Sequence, residues 1–461
     1  EVGSAALGRC AAPVRPPMQV AAAAGCELEE PESGRLGEEL GMWEPTLGKV
    51  ARPHWLPTRG LGNMKVEPEE WGMTIQQFCA FIMACFMGEG DDGGKLRTYA
   101  KKTPQKTKAK DANHVTLYEI VDHFVKPWTQ NTGNSIALLM NCEKPLKAEV
   151  MISHAWGEDI IEAMVALLGK AYAMKMPLTT VVWFCAFAQY QPGDAKGDCG
   201  PSVAEQLSKD PFKRVIGSRP TFGMIVLHTS RAELYERLWC VYEVNEAKKA
   251  EVEPHAAFSM NYLKEYYFMR ERGVGDECFR VDTSSAKCSC PGDMELIHTR
   301  IKEAHEGMDG FKALDDKISR FRCDALEPMY QVATSFFEWS RKHGDVGDVR
   351  VLRDKTRTAG VFVALHCLLG VCDAVEDFDE RYRQRILRLA REAVRPLAQP
   401  PHESGTPPPG FDPKKACPEM LTRLTAGLGC DALLDACLSD LSLFELPIGY
   451  LEMSSGGAPE V

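Results

Sequence analysis

The chain of 461 residues lacks an uninterrupted apolar run long enough to cross a membrane. A membrane-spanning helix needs roughly 18 or more consecutive apolar residues. The longest candidate, "AGVFVALHCLLGVCDAV", is interrupted by His366 and is no longer apolar at Asp373. We therefore expect no membrane span and predict a buried helix in this stretch.

The sequence also lacks an excess of positive charge. It has 54 Lys and Arg against 65 Asp and Glu, a formal net charge of −11, whereas general nucleic-acid binding depends on basic faces that neutralise phosphates. A basic stretch, "KLRTYAKKTPQKTKAK", has seven Lys or Arg in sixteen residues but only one aromatic, Tyr99. Because one ring cannot stack successive bases, a solvated linker is favoured over a nucleic-acid site.

No cysteine pair has the C-x-x-C spacing that is typical of structural zinc sites. The 17 cysteines are odd in number and many lie in apolar runs, as is typical of buried thiols in a reducing compartment. We therefore expect an intracellular, cytoplasmic protein. A zinc site at Cys278, Cys288, Cys290 and His298 is disfavoured by the spacing, and we expect no metal.

Changes in composition divide the chain into four parts. The first mixes Ala, Gly, Pro and Glu without periodicity, as is typical of a segment that buries too little to order itself. The third has short apolar runs between helical patterns, and its neighbours on either side are helical. The predicted parts are a disordered leader (1–65), a helical segment with a basic linker (66–146, its first helix ending near Met87), an α/β domain (147–310) and a helical C-terminal region (311–461) with a proline-rich break at 395–413.

The α/β part predicts a parallel sheet covered by helices on both faces, because nearly continuous apolar strands alternate with helices. The fold class that we predict is doubly wound α/β. The predicted strands are 148–153, 179–187, 222–228 and 277–282, and the predicted helices are 158–174, 201–215, 234–250 and 292–306.

Polar and aromatic residues follow three of these strands. Ligands of open α/β sheets bind beyond the carboxyl ends of the strands, so we expect these residues to meet at one rim. "SHAWGED" follows the first strand, "CAFAQYQPGD" ends the second and "LHTS" ends the third, so the candidates are Ser153, His154, Trp156, Gly157, Tyr190, His228 and Ser230.

Two other readings of these residues stay open. Ser153 and Ser230 could cap helices, because a serine oxygen satisfies a free amide there. His154 or His228 could activate Cys185 or a serine as a nucleophile. Neither serine lies in a G-x-S-x-G turn, and this disfavours the second reading.

The stretch "RLWCVYEVNEA" places a tryptophan and a glutamate one helical turn apart. On a helical wheel Leu234, Leu238 and Val241 form the predicted core face, whereas Trp239 and Glu243 fall on the opposite, polar face with Glu236 and Glu246. We expect Glu236 and Glu246 to be solvated. An indole on a charged face is normally covered by something, and Glu243 would share whatever covers it.

Two of these motifs resemble TIR-like domains, the flavodoxin-like modules of innate-immunity and cell-death signalling. "EVMISHAWGED" is similar to the opening strand and loop of that family, and "RLWCVYEV" resembles its W-C-x-x-E helix. The resemblance covers about 147–310. Two residues before the tryptophan, where the family often has serine, this chain has Arg237.

The resemblance implies a catalytic role for Glu243. Some TIR domains cleave NAD between nicotinamide and ribose with the glutamate of this helix, and a carboxylate suits the oxocarbenium-like charge that develops. Trp239 would then wall the site, Trp156 would stack on a planar ring, and NAD would be the substrate with no cofactor. Other TIR domains only self-associate or recruit TIR-like proteins, so a noncatalytic interaction module and a nucleotide sensor remain alternatives.

Overall fold

The computed structural model describes residues 52–87, 115–273, 279–288, 291–303, 310–343, 349–375 and 379–394. Most of the predicted leader, the basic stretch 95–110 and the proline-rich break 395–413 lie outside the described part of the chain.

The described residues form a mixed α/β fold around a five-stranded, mostly parallel sheet. The order across the sheet is β1-β3-β2-β4-β5, with β1 antiparallel to β3 and the other neighbours parallel. In chain order the strands are β1 Met73–Thr74, β2 Val150–Ser153, β3 Val181–Phe184, β4 Met224–His228 and β5 Pro254–Phe258.

The central strands β2, β3 and β4 are fully buried, and apart from Ser153 and His228 at their ends they are apolar, because both faces of the sheet are covered there. Successive side chains of a strand point to opposite faces. In β2, Val150 and Ile152 enter one core while Met151 enters another. Val182 and Trp183 of β3 divide in the same way. Helices therefore lie on both faces, as the near-continuous apolar runs predict.

Fourteen α-helices are described. In chain order they are α1 Ile75–Met87, α2 Leu117–Ile120, α3 Lys126–Thr129, α4 Ile136–Met140, α5 Ile160–Ala173, α6 Cys185–Ala188, α7 Val203–Leu207, α8 Pro211–Gly217, α9 Leu238–Lys249, α10 Met260–Glu271, α11 Pro291–Glu303, α12 Gly310–His343, α13 Val349–Asp373 and α14 Glu380–Val394.

The predicted helices lie in the right places, but two of them are interrupted. The predicted helix at 234–250 is a short 3-10 helix, Leu234–Glu236, followed by an extended Arg237 and then α9. The predicted strand at 179–187 ends at Phe184, where α6 begins. The first helix does end at Met87, and α5 lies within the predicted 158–174. The predicted helix at 201–215 is instead the pair α7 and α8. The break falls at Asp210, which has a left-handed backbone with φ of 49°. Pro211 follows it, and a proline disfavours helical backbone in the residue before it.

The fourth predicted strand is wrong within the described residues. Residues 279–282 form no strand, and the fourth parallel strand is β5, which the sequence reading missed. Phe279 is apolar for another reason, because it packs with Tyr262 and Tyr266 of α10. β5 begins with a proline, which is tolerated at the first residue of a strand but weakens its sequence signal.

The helical segments on either side of the α/β part share a core with one face of the sheet. Helices α1 and α13 pack against each other and against that face. The predicted leader also ends too late, because Trp55 and Leu56 are buried in the same core. The apolar stretch around His366 is the predicted buried helix, α13. Among the described helices, none is long and apolar enough to cross a membrane.

Candidate functional site

A buried hydrogen bond joins the end of β2 to the middle of α9. The hydroxyl of Ser153 donates to Oε2 of Glu243 at 2.5 Å, and both side chains are buried. β2 is flanked by β3 on one side and by β4 on the other, so the chain order of the strands reverses at this point. Ligands of α/β sheets bind at such a reversal, beyond the carboxyl ends of the strands.

Helix α9 is buried on nearly all sides, which corrects the prediction of a polar face. Glu243 is only 4% exposed and Glu246 only 8%. On the far side of the helix, Tyr242 accepts a hydrogen bond from Arg300 of α11. Glu243 faces the sheet and contacts Ser153 at the end of β2, so the wheel placed it on the wrong side of the helix. α8 and α11 pack on the other side of α9, where Glu246 lies near Tyr242. Glu246 is paired with Lys249 and is not fully solvated.

Burial changes the acidity of Glu243. Desolvation raises its pKa to about 7, and the hydrogen bond from Ser153 and the charge of Arg237 oppose this shift only in part. Loss of solvation disfavours a charged carboxylate. Near neutral pH this carboxyl therefore exchanges its proton readily, which suits a group that must meet developing charge.

Arg237, directly before α9, lies beside this pair. Its guanidinium is 5.8 Å from the centre of the Trp156 ring. Burial is the largest influence on the pKa values of the groups around it and raises those of Glu158, Cys185, Cys240 and Glu243. The charge of Arg237 opposes these increases, and it adds to the lowering of the His154 pKa that burial causes. Sequence reasoning treated this arginine only as a departure from a family pattern and missed it as a member of the site.

His154 lies between a thiol and a carboxyl. Its Nε2 is 3.0 Å from Sγ of Cys185, and its Nδ1 is 3.1 Å from Oε1 of Glu158 without a hydrogen bond between them. Burial lowers the pKa of His154 and raises that of Glu158. It also raises the pKa of Cys185 to about 12. A nucleophilic cysteine needs a lowered pKa, so this line of neutral groups does not form an activated thiol.

Trp156 and Gly157 lie at the outer edge of the site. Both are partly exposed, and Trp156 packs against Tyr118 of α2 with 5.4 Å between ring centres. A side chain on Gly157 would make ordinary contact with Cβ of Ala232. The loop after β2 therefore borders the site, and its aromatic ring faces a tyrosine that sequence reasoning did not single out.

Trp239 is covered by the protein itself. Its ring stacks on Phe212 of α8 with 4.8 Å between ring centres, and it meets Tyr242 edge to face. These contacts belong to the core on the α8 side of α9. An indole on a helix rich in acids is thus explained by packing between helices, without a ligand.

Tyr190 is fixed within its own loop. Its backbone amide donates to Gln206 of α7, and its hydroxyl donates to Asp198 at 2.7 Å. The ring is fully buried against Gly200, where even a Cβ would collide with it. The contacts of Tyr190 are those of a residue that anchors a loop.

His228 and Ser230 belong to two further clusters. His228 contacts the carbonyl of Val226 and the hydroxyl of Tyr235, each at 3.1 Å. Burial and the charge of Arg322 lower the pKa of His228 to about 3, so the ring is neutral. Ser230 donates from both its amide and its hydroxyl to Glu162 of α5.

The three strand ends therefore do not form one continuous set of contacts. Ser153 and Glu243 come together, and Trp156 lies beside Arg237, whose charge acts on Glu243. His154 contacts Cys185 and Glu158 instead. Tyr190, His228 and Ser230 contact other residues. The two sequence motifs identify Ser153 and Glu243. These residues meet because β2 lies at the reversal of strand order. Arg237 carried a usable signal as well, since it adjoins Trp239 and Glu243 in the same short stretch.

No group of three or more His, Cys, Asp or Glu side chains among the described residues could hold a metal ion. No protein-family profile, curated protein or solved structure matches the chain.

Proposed function

We propose that the chain contains a TIR-like, flavodoxin-like domain that acts in intracellular signalling and hydrolyses NAD to nicotinamide and ADP-ribose products at Glu243. The observation that carries the proposal is the buried Ser153–Glu243 hydrogen bond at the reversal of strand order. The parallel strands run in the order second, first, third, fourth across the sheet, which is also the order that begins a flavodoxin-like sheet.

Cleavage of NAD requires a group that stabilises positive charge, and a carboxylate is suited to this. Cleavage of the bond between nicotinamide and ribose develops oxocarbenium-like charge on the ribose, which a carboxylate stabilises in a site of low dielectric. With its pKa raised to about 7, Glu243 is about half ionised at neutral pH. Ser153 orients the carboxyl through its hydroxyl. Water completes the reaction at the ribose carbon and supplies the hydroxyl of the product.

Nicotinamide release tests this function. Concentrated wild-type protein incubated with NAD is expected to release nicotinamide, and Glu243→Ala is expected to abolish the release while circular dichroism shows that the fold is kept. Absence of nicotinamide from concentrated, assembled wild-type protein would refute the proposal.

The alternative is a noncatalytic module that self-associates, recruits another TIR-like protein or senses a nucleotide without turnover. The observation that favours it is the burial of Glu243, which is only 4% exposed, so a substrate can reach the carboxyl only if neighbouring side chains move. This alternative predicts self-association that persists in Glu243→Ala. Calorimetry with NAD separates these two possibilities. A sensor gives a measurable heat of NAD binding without turnover, whereas an interaction module does not bind NAD.

A further inference from the structure

The guanidinium of Arg237 has a buried hydrogen-bond donor without a partner among the described residues. Its Nη1 atom is shielded from solvent and has no hydrogen-bond partner among the described residues. Arginine remains charged at all relevant pH values and presents five donors. A buried donor without a partner costs about 1–3 kcal/mol, and more when the group is charged. An acceptor that reaches Nη1 would therefore bind favourably.

The two buried carboxyl groups on which the charge of Arg237 acts are poor counterions. Burial raises the pKa of Glu243 to about 7 and raises that of Glu158 well above its usual range. Both therefore favour their neutral forms more than exposed glutamates do. Arg237 also directly precedes the first residue of α9, and the amino terminus of a helix adds positive potential. The local field favours an anion.

Two aromatic rings connect this arginine to the surface. Tyr118 is 51% exposed and packs against Trp156, whose ring in turn lies under the Arg237 guanidinium. The tyrosine is close enough to Arg237 to affect the arginine's pKa. A planar ring that stacks on Tyr118 or Trp156 would hold an attached anionic group near the guanidinium. Nucleotides combine these two features, and base stacking on aromatic side chains contributes about 1–3 kcal/mol.

We propose that Arg237, Trp156 and Tyr118 form a nucleotide subsite in which Arg237 binds a phosphate group and the two aromatic rings receive the base. The identity of the nucleotide as an NAD-type compound rests on the proposed function. Binding of the phosphate does not require turnover, so the subsite can exist even in a protein that releases no nicotinamide.

Calorimetry with pyrophosphate and with NAD tests the phosphate half of the subsite. Wild-type protein is expected to bind both, with an affinity that falls as salt rises. Arg237→Gln is expected to weaken both by about tenfold or more, because a charge-assisted hydrogen bond contributes about 1.5–3 kcal/mol. The matched control is Arg219→Gln, an exposed arginine just before β4, at the opposite end of the sheet. It is expected to leave both affinities unchanged.

A second pair of measurements tests the aromatic half. Tyr118→Ala is expected to weaken the binding of NAD but not that of pyrophosphate. Adenosine, which has no phosphate, is expected to bind with equal affinity to wild type and to Arg237→Gln. If Arg237→Gln does not fold, Arg237→Lys replaces it. It keeps the charge but loses the two-pronged donor geometry, and we expect it to bind pyrophosphate more weakly than wild type.

Two results would overturn the subsite: wild-type protein that binds neither pyrophosphate nor NAD, or arginine variants that bind as tightly as wild type. Failure of the proposed function looks different. In that case wild-type protein binds NAD through Arg237 and releases no nicotinamide.

Discussion

Glu243 and Glu162 both lie near the carboxyl ends of the parallel strands, and both accept a hydrogen bond from a serine at or just after a strand. Their surroundings differ sharply. Glu162 accepts from the amide and hydroxyl of Ser230, from the hydroxyl of Ser259 and from the amide of Asn261. Among the described residues, Glu243 accepts from Ser153 alone, and it is almost fully buried.

The difference separates a carboxylate that ties segments together from one that has a single donor and is shielded from water. Glu162 satisfies donors from the segments after β4 and β5 and ties both to α5. Glu243 has fewer donors than a carboxylate can use and lies away from water. A carboxyl in that condition holds its proton to higher pH and is ready to respond to a new charge nearby.

The largest expected effect is on stability at alkaline pH in Glu243→Gln. The folded-state pKa of about 7 lies above the reference value of 4.5, so between these values the folded protein binds more protons than the unfolded chain. Wild type therefore loses stability as pH rises from about 4.5 to 7. Glutamine keeps an acceptor for Ser153 and cannot ionise. We expect Glu243→Gln to be more stable than wild type by up to about 3 kcal/mol above pH 8, and equal to it near pH 4.

Urea unfolding of both proteins across this pH range measures the effect. Because Glu158 is present in both, its own titration cancels from the difference to first order. A difference that does not change with pH would show that Glu243 titrates as an ordinary glutamate, and the contrast with Glu162 would lose its basis.

The next largest effect is expected from removing the hydrogen bonds that Glu162 accepts. Glu162→Ala leaves its three partner side chains without their acceptor, and we expect a loss of about 2 kcal/mol in the free energy of unfolding. Glu162→Gln keeps one acceptor oxygen and should lose less. Urea unfolding at pH 7 gives both values. Equal stability of wild type and Glu162→Ala would contradict a structural role for this carboxylate.

Sequence reasoning found one of these two glutamates. Glu243 was identified because its helix carries a recognisable motif and because Ser153 ends an apolar strand. Glu162 was missed because its donors come from two segments that are distant in sequence, and one of them follows β5, a strand that the sequence reading did not find. The burial of Glu243 was also missed, because the helical wheel placed this residue on the polar face, whereas in the fold it contacts Ser153 at the end of β2.

The parallel core was the most predictable part of the fold. β2, β3 and β4 are short runs of apolar residues buried on both faces, and such runs are distinctive. β1 has only two residues and β5 begins with a proline, so neither has a strong pattern. Tyr118 lies in a four-residue helix with no periodic signal. Its role depends on the contact with Trp156, which only the tertiary structure provides.

A smaller effect is expected from Ser153→Ala. Its hydrogen bond lowers the pKa of Glu243, so its removal should raise that pKa further. The loss of stability with rising pH should then continue above pH 7, and the overall cost should be about 1 kcal/mol. The pH dependence of urea unfolding again provides the measurement. A downward shift of the titration would mean that Ser153 does not stabilise the ionised carboxyl.

The smallest effect is expected on the other side of α9. Because Trp239 packs on Phe212, Trp239→Phe should cost about 1 kcal/mol of stability or less and leave nicotinamide release unchanged. Release assays normalised to folded protein check this. A large loss of release with normal stability would place the indole in the catalytic site, as the sequence resemblance implies.

The most direct test of the central claim compares nicotinamide release by Glu243→Gln and Glu162→Gln at pH 7, each normalised to folded protein. The two changes are the same in size and charge. We predict that Glu243→Gln lowers release by at least about a hundredfold and that Glu162→Gln retains release close to that of wild type. Equal release by the two variants would contradict the assignment of the reactive carboxyl to Glu243.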